Sequence, residues 1–217
     1  MIRTLDGVST RTADVTHAAK SLAKEVLWST LRHRQGSDPN ILMFATRRGG
    51  STFVMELIAA NKGIRSIDQP FSVFSPNMTP AQYRRMPKFP HGQLVDLDDR
   101  RERELKGYTE GILAGQLPVN APLRFWRRDF DFVSDRIVVK VLGANSLIEW
   151  FSGTFPVKVV YLSRHPIPQA LSCLRNKWNL TVDAYLTSEQ FVSAHLSPEA
   201  LAMTRQVLRD GSRLQQF

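Results

Sequence analysis

One short segment of the chain has the residue types that bind tetrahedral anions. It is ATRRGGST (residues 45–52), and it lies between an apolar run and an amphipathic segment. Unpaired N–H groups at a helix start attract anions. Gly49 and Gly50 allow the backbone to approach a ligand closely, and Arg48 adds a permanent fork-shaped charge. The segment predicts an anion-binding loop.

The same loop lacks the lysine that a nucleoside triphosphatase carries. The pattern G-x-x-x-x-G-K-[ST] is absent because Gly50 precedes Ser51, and G-x-G-x-x-G is absent as well. Ser51 and Thr52 can cap a helix or donate their hydroxyls to an anion. A tight turn into a capped helix, with the arginines on the surface, explains this fragment equally well.

A second segment, VKVVYLSRHPIPQALSCLRNKW (residues 157–178), repeats the arrangement. Arg164 follows an apolar run, Pro168 suits the start of a helix, and Ser172 lies one turn further on. The carboxyl ends of parallel strands meet at one edge of a sheet, so Arg48 and Arg164 are expected to line the same cleft. The alternative is an arginine paired with a nearby carboxylate. Two such units in one chain favour a ligand with two separated anionic groups.

The elements that position these residues alternate between strand and helix. Strands are predicted at residues 41–46, 136–142 and 157–163, and a short strand with a loop at residues 64–74. Helices are predicted at residues 16–34, 51–61, 98–115, 145–151, 168–177 and 198–209. This alternation predicts an α/β fold, a three-layer sandwich with a central parallel sheet. Residues 1–217 are expected to form one domain. Within it, residues 1–15 form a loose arm and residues 75–115 a lid.

The composition restricts the partners and the compartment. The formal charge of +9 favours an anionic partner, and the 42% hydrophobic content suffices for a sizeable core. The only cysteine, Cys173, excludes an internal disulfide. No run approaches the ~20 apolar residues of a membrane span, and the N-terminus lacks a signal-peptide core. A cytoplasmic location is therefore expected.

The two arginine segments, in this order, resemble the nucleotide-binding segments of sulfotransferases that use 3′-phosphoadenosine-5′-phosphosulfate (PAPS). TRRGGSTFVMELIAANKGIRSIDQPFSVF resembles the 5′-phosphosulfate loop, most closely that of the carbohydrate branch, and VVYLSRHPIPQALSC resembles the 3′-phosphate segment. The resemblance covers residues 41–74 and 136–178. It implies a P-loop-like fold, PAPS as co-substrate without a metal, and transfer of a sulfuryl group to a hydroxyl of a carbohydrate or similar metabolite.

The resemblance also implies roles for individual residues. Arg48 matches the basic loop residue that stabilises the sulfuryl group and the leaving phosphate. Residues 49–52 match the backbone cradle, and Arg164 with Ser172 matches the pair that holds the 3′-phosphate. Sulfuryl transfer needs in-line positioning and neutralisation of charge on the leaving oxygen, which arginines and amides can supply.

Three residues depart from the pattern of the family. Gly49 stands where the family has Ser or Thr, His165 replaces an Asp, and Gln69 replaces the Glu of a Glu-Pro pair. Glutamine cannot accept a proton from an acceptor hydroxyl, so the general base is open. Asp68 is the first candidate and His91 the second, although each residue type more often has only a solvated or capping role.

Lys140 is a third candidate catalytic residue. It lies in RIVVKVL, which resembles the strand that bears Lys-Thr-His in the cytosolic branch, and Leu142 replaces that His. Lys140 is expected either to reach the transferred group or to pair with a carboxylate at the strand end. The cluster LRFWRRDF, residues 123–130, is expected to bind an acceptor or to be a partly buried tryptophan among solvated arginines.

Two other function classes compete with the sulfotransferase. A basic nucleic-acid-binding module is motivated by the net charge, but the charge is scattered and no recognised motif is present, so no nucleic-acid partner is expected. A P-loop nucleotide-binding protein shares the sheet architecture but requires the missing lysine. The chain stops at RDGSRLQQF, before the final nucleotide contacts of the sulfotransferase family, so it is expected to be a shortened member or a fragment.

Overall fold

The computed structural model describes residues 19–72, 78–88, 94–117, 119, 130–177 and 185–212. The strands are β1 (Arg32–His33), β2 (Ile41–Ala45), β3 (Ile64–Asp68), β4 (Val133–Ser134), β5 (Arg136–Val141) and β6 (Lys158–Leu162). The helices are α1 (residues 19–30), α2 (Ser51–Ala59), α3 (Pro80–Arg85), α4 (Asp99–Leu113), α5 (Ile148–Thr154), α6 (Pro166–Arg175), α7 (Glu189–His195) and α8 (Pro198–Asp210). A single 3-10 turn, Asn145–Leu147, leads into α5.

A four-stranded parallel sheet forms the centre of the fold. Its strand order is β3-β5-β2-β6, and every pairing is parallel. All five residues of β2 are buried, because the strand pairs on both sides and is covered on both faces. Its side chains alternate between the faces, so Leu42 and Phe44 lie in one hydrophobic cluster and Ile41 and Met43 in another.

Helices cover both faces of the sheet. On one face, Met55 of α2 packs with Met43 and Val138. On the other face, α4 and α5 contribute to a larger cluster that includes Leu105, Ile112 and Phe151. The α/β class and the central parallel sheet predicted from the sequence are thereby confirmed, while the assignment of the whole chain to one domain stays a prediction.

The connections of the sheet leave on opposite faces at its middle. The chain runs from β2 through α2 to β3 on one face, and from β5 through α5 to β6 on the other. In open parallel sheets, ligands bind outside the carboxyl ends of strands at such a switch point. The topology therefore predicts that a ligand site would be formed by the residues that follow β2, β5 and the neighbouring strands.

The predicted end of the first helix is wrong. The first helix ends at residue 30, and Arg32 begins a short strand that pairs with β4. The apolar residues of this segment are divided, since Leu22 and Val26 are exposed whereas Trp28 and Leu31 are buried. Periodicity predicts the helix, but the pairing of β1 with β4 determines where it ends.

The proline-rich segment predicted as a lid contains part of the core. Residues 80–85 form α3, which begins with a capping box between Thr79 and Gln82. Met78 and Met86, on either side of the helix, are buried. The helix α6 begins at Pro166, two residues earlier than predicted, because the His165 side chain accepts a hydrogen bond from the backbone N–H of Ile167.

Within the described ranges, no helix combines the length and the apolar character that crossing a bilayer requires.

Replacing Phe151 by Ala should destabilise the fold strongly. Its ring is fully buried against Phe44, Phe71 and Phe155, and truncating a buried Phe costs about 3–5 kcal/mol of unfolding free energy. Urea denaturation measures the loss. The matched control is Phe53→Ala, because Phe53 is 72% exposed and its truncation should change stability little. Equal losses for the two variants would contradict the assignment of the core.

Candidate functional site

The loop between β2 and α2 is held in a tight, left-handed conformation. Arg48 has φ 60° and Gly50 has φ 88°. The backbone N–H of Gly49 donates to the Thr46 carbonyl oxygen at 3.1 Å. A Cβ on Gly49 would lie 2.9 Å from that same oxygen, so glycine is required there by close packing. Position 49 thus has a local steric reason to be glycine, where the family that the sequence resembles has Ser or Thr.

The amino end of α2 faces this loop without a side-chain cap. Gly50 is the N-cap residue, and the first turn contains no acidic side chain. A Cβ on Gly50 would meet no atom within 4 Å, so the space beside the N-cap is open. The N–H groups and positive dipole end of a helix start attract anions when no carboxylate competes for them. These features suit an anion of tetrahedral shape.

The loop is tied to α6 by the residues that the second arginine segment supplies. Arg48 Nε donates to Ser172 Oγ at 2.9 Å, and Arg164 Nη1 donates to the Arg48 carbonyl oxygen at 3.2 Å. Thr46 Oγ1 also contacts Gln169 Oε1 at 3.1 Å. Arg48, Arg164 and Ser172, which were predicted from two separate segments, therefore lie together. This is what is expected of residues that follow the carboxyl ends of parallel strands.

Lys140 is buried beneath the same loop. Its Nζ lies 2.6 Å from Asp68 Oδ1 and 3.0 Å from Thr52 Oγ1. The residue is only 1% exposed, and Asp68 offsets the cost of burying its charge. Thr52 lies in the first turn of α2, so β5 brings a lysine to the start of the helix that follows the loop. A lysine from the neighbouring strand β5 thus lies near a loop that has no lysine of its own.

The segment after β3 is also fixed by Lys140. The backbone N–H of Gln69 donates to the Lys140 carbonyl oxygen at 3.0 Å, and Gln69 has φ 51°. The Lys140–Asp68 ion pair is one of the two alternatives that the sequence left open for this lysine. Asp68 therefore has a positioning role in the structure, whereas its predicted role as a base stays a prediction.

Several residues of the site were not found from the sequence. Asn145 Nδ2 donates to the Ala45 carbonyl oxygen at 3.2 Å, at the carboxyl end of β2. Among the described residues, Asn145 Oδ1 is a buried acceptor with no hydrogen-bond partner, and a ligand hydroxyl or a water could satisfy it. Asn145, Thr46 and Gln169 are uncharged and follow no spacing rule, so no sequence pattern distinguished them.

The single cysteine is buried beside the site. Cys173 is buried, and burial raises the pKa of its thiol, although the nearby Arg48 and Arg47 oppose that rise. A protonated thiol is a poor nucleophile. Arg47 is near Tyr185 as well, and burial lowers the pKa of Arg47 and raises that of Tyr185.

Some predicted residues lie outside the described part of the chain, namely His91 and the cluster of Arg124, Trp126, Arg127 and Arg128. Over the ranges that are described, no group of three or more His, Cys, Asp or Glu side chains is arranged to hold a metal ion.

Comparisons with family models, with curated proteins and with solved structures found no match to this chain.

Replacing Asp68 by Asn should show how much the Lys140–Asp68 ion pair contributes to the unfolding free energy. The variant leaves the buried Lys140 without its counter-ion, which should lower the unfolding free energy by about 3 kcal/mol. Adding Lys140→Met to Asp68→Asn should recover part of that loss, because no uncompensated charge then remains. Urea denaturation of both single variants and the double variant gives the coupling energy. Strictly additive losses would show that the two side chains do not interact.

Proposed function

We propose that the chain is a PAPS-dependent sulfotransferase of P-loop-like fold, which transfers a sulfuryl group to a hydroxyl of a carbohydrate or similar metabolite. The observation that carries the proposal is the convergence of the two arginine segments, in which Arg48 Nε lies 2.9 Å from Ser172 Oγ. The sequence resemblance predicted both residues independently of any fold. Their contact across 124 positions of the chain supports a single binding site.

The start of α2 suits the 5′-phosphosulfate end of the donor. The uncapped N–H groups, Arg48 and Lys140 together offer several donors and two cations to one anionic group. Arg164 and Ser172 are proposed to hold the 3′-phosphate. In this arrangement, Arg48 lies between the two anionic ends and would give up its bond to Ser172 when the nucleotide binds.

The proposed transfer is an in-line displacement at sulfur. The acceptor hydroxyl oxygen forms a bond to sulfur while the bond from sulfur to the 5′-phosphate oxygen breaks, and its electron pair stays on that oxygen. Arg48 and Lys140 would neutralise the charge that develops there. Asp68 is proposed to take the hydroxyl proton. The products are a sulfate ester and adenosine 3′,5′-bisphosphate.

One feature weighs against nucleotide hydrolysis as the alternative. The loop between β2 and α2 has no lysine of its own. The closest competing function is binding of an adenosine nucleotide by the two arginine segments without any group transfer. Both functions include nucleotide binding, but only the proposed enzyme removes the sulfuryl group from the donor. Binding and transfer must therefore be measured separately.

Adenosine 3′,5′-bisphosphate should raise the melting temperature of the protein by mass action. Arg48→Ala and Arg164→Ala should each abolish the shift, because each removes a cation from one anionic end. Thermal scanning fluorimetry at millimolar nucleotide measures the effect. Arg175→Ala is the matched control, since it removes an exposed arginine from the same helix that carries Ser172.

The absence of any shift in folded wild-type protein would refute the proposed nucleotide site. A shift with ATP and magnesium but none with adenosine 3′,5′-bisphosphate would favour the P-loop alternative. Where the shift is present, incubation with radiolabelled PAPS and a panel of sugars tests transfer. Lys140→Met should reduce labelled product about 10²- to 10³-fold, as removal of other charge-stabilising donors does. Binding without labelled product across the panel would favour the non-transferring alternative.

A further inference from the structure

An apolar pocket of about 540 Å³ lies at the amino-terminal edge of the central sheet. Its lining comes from the segment before β2, from the last turn of α4 and from the turn between α5 and β6. The candidate nucleotide site lies at the carboxyl ends of the same strands, so the two occupy opposite edges of the sheet. Small-molecule sites are concave and mostly apolar, with volumes of about 300–1,000 Å³ and a few polar groups that fix the ligand. The pocket has the size and the character of such a site.

One charged side chain, that of Glu110, belongs to the described lining of the pocket. No described cation lies within 4.0 Å of its carboxylate. Glu110 lies in the last turn of α4, where a carboxylate opposes the helix dipole, and that turn contains no basic side chain. Helix stability therefore does not explain a carboxylate at this position.

The carboxyl end of α5 adds backbone acceptors beside this carboxylate. Pro156 has no N–H group, and the N–H of Val157 donates to the Phe155 carbonyl oxygen. The carbonyl oxygens of Ser152 and Gly153 therefore lack the donors that a continued helix would provide four residues later. The last turn of α5 contains no basic side chain either. Two helix ends with partial negative charge thus meet at one pocket.

The remaining lining suits a hydrocarbon chain. Leu113 and Val157 are partly exposed apolar residues of the pocket, and Pro39 lies between them and the solvent-exposed segment before β2. Arg136 donates to the Pro39 carbonyl oxygen at 2.6 Å, but its side chain does not belong to the described lining. The positive net charge of the chain acts weakly here, because exposed charges more than about 8 Å apart are largely screened at physiological ionic strength.

We propose that this pocket binds a primary aliphatic amine, with the ammonium group at Glu110 and the hydrocarbon chain against Leu113 and Val157. An ammonium group has three N–H donors, which match one carboxylate and the carbonyl oxygens of the helix ends. The same groups repel an anion, and a neutral alcohol gains only the apolar contact. The proposal does not rest on the proposed function, because no residue of the nucleotide site lines the pocket.

The test uses n-hexylamine as the probe and two-dimensional ¹H–¹⁵N NMR of the full chain as the readout, since so small a ligand should bind in the millimolar range. The backbone signals of Ala114 and Val157 should shift with added amine, while those of Gly49 and Gly50 should stay in place. 1-Hexanol retains the hydrocarbon chain and methylammonium retains the charge. Each should bind about 10-fold more weakly than n-hexylamine, because each keeps only one half of the probe.

Glu110→Gln should weaken n-hexylamine binding about 10-fold, because it removes the charge that pairs with the ammonium group. The variant should fold, and its melting temperature should not fall, since it removes a carboxylate from a helix carboxyl end. Glu149→Gln is the matched control. Glu149 is an exposed helical glutamate outside the described lining, so its replacement should leave the affinity unchanged.

Ala114→Lys should fill the pocket with an ammonium group of the chain itself. Ala114 is the C-cap residue of α4 and follows Glu110 by four residues, the spacing at which Glu and Lys pair on a helix. The variant should melt at a higher temperature and lose the n-hexylamine shifts. Ala60→Lys is the control, because Ala60 is also the C-cap residue of a helix without a basic side chain in its last turn and lies outside the pocket. It should bind the amine as wild type does.

Three results would overturn the proposal. The first is the absence of shifts at Ala114 and Val157 when n-hexylamine is added to wild-type protein. The second is equal binding of 1-hexanol and n-hexylamine, which would mean that the pocket recognises only hydrocarbon. The third is an equal effect of each variant and its control, which would mean that only the net charge matters. Failure of adenosine 3′,5′-bisphosphate to bind would refute the nucleotide site and change none of these expectations.

Discussion

The arrangement of the site depends on one buried charge. Lys140 lies under the loop that follows β2 and reaches both Asp68 of β3 and Thr52 of α2. A buried ammonium is tolerated only with a counter-ion and further hydrogen bonds, so the carboxyl ends of two strands and the start of a helix must remain together. The same requirement keeps a cation beside the uncapped helix start. Stability and the proposed anion site thus depend on one set of contacts.

The sheet topology explains why distant segments share this site. The central strand β2 is flanked by β5 and β6, so the loops that follow all three leave the same edge of the sheet. Arg164 and Ser172 reach Arg48 because β6 pairs directly with β2 in parallel register. These three residues therefore meet because of the strand order. Each side chain needs only to follow its strand at the right distance along the chain.

This also explains what sequence reasoning could and could not predict. Strands β2 and β5 were predictable because burial on both faces leaves continuous apolar runs. Strand β6, which precedes Arg164, was predictable from its apolar β-branched residues, although the structure leaves it largely exposed. The end of α1 was predicted too far along the chain, because the pairing of β1 with β4 joins residues distant in sequence and leaves no local pattern. Asn145 and Gln169 were missed because each acts through one contact with a residue distant in sequence.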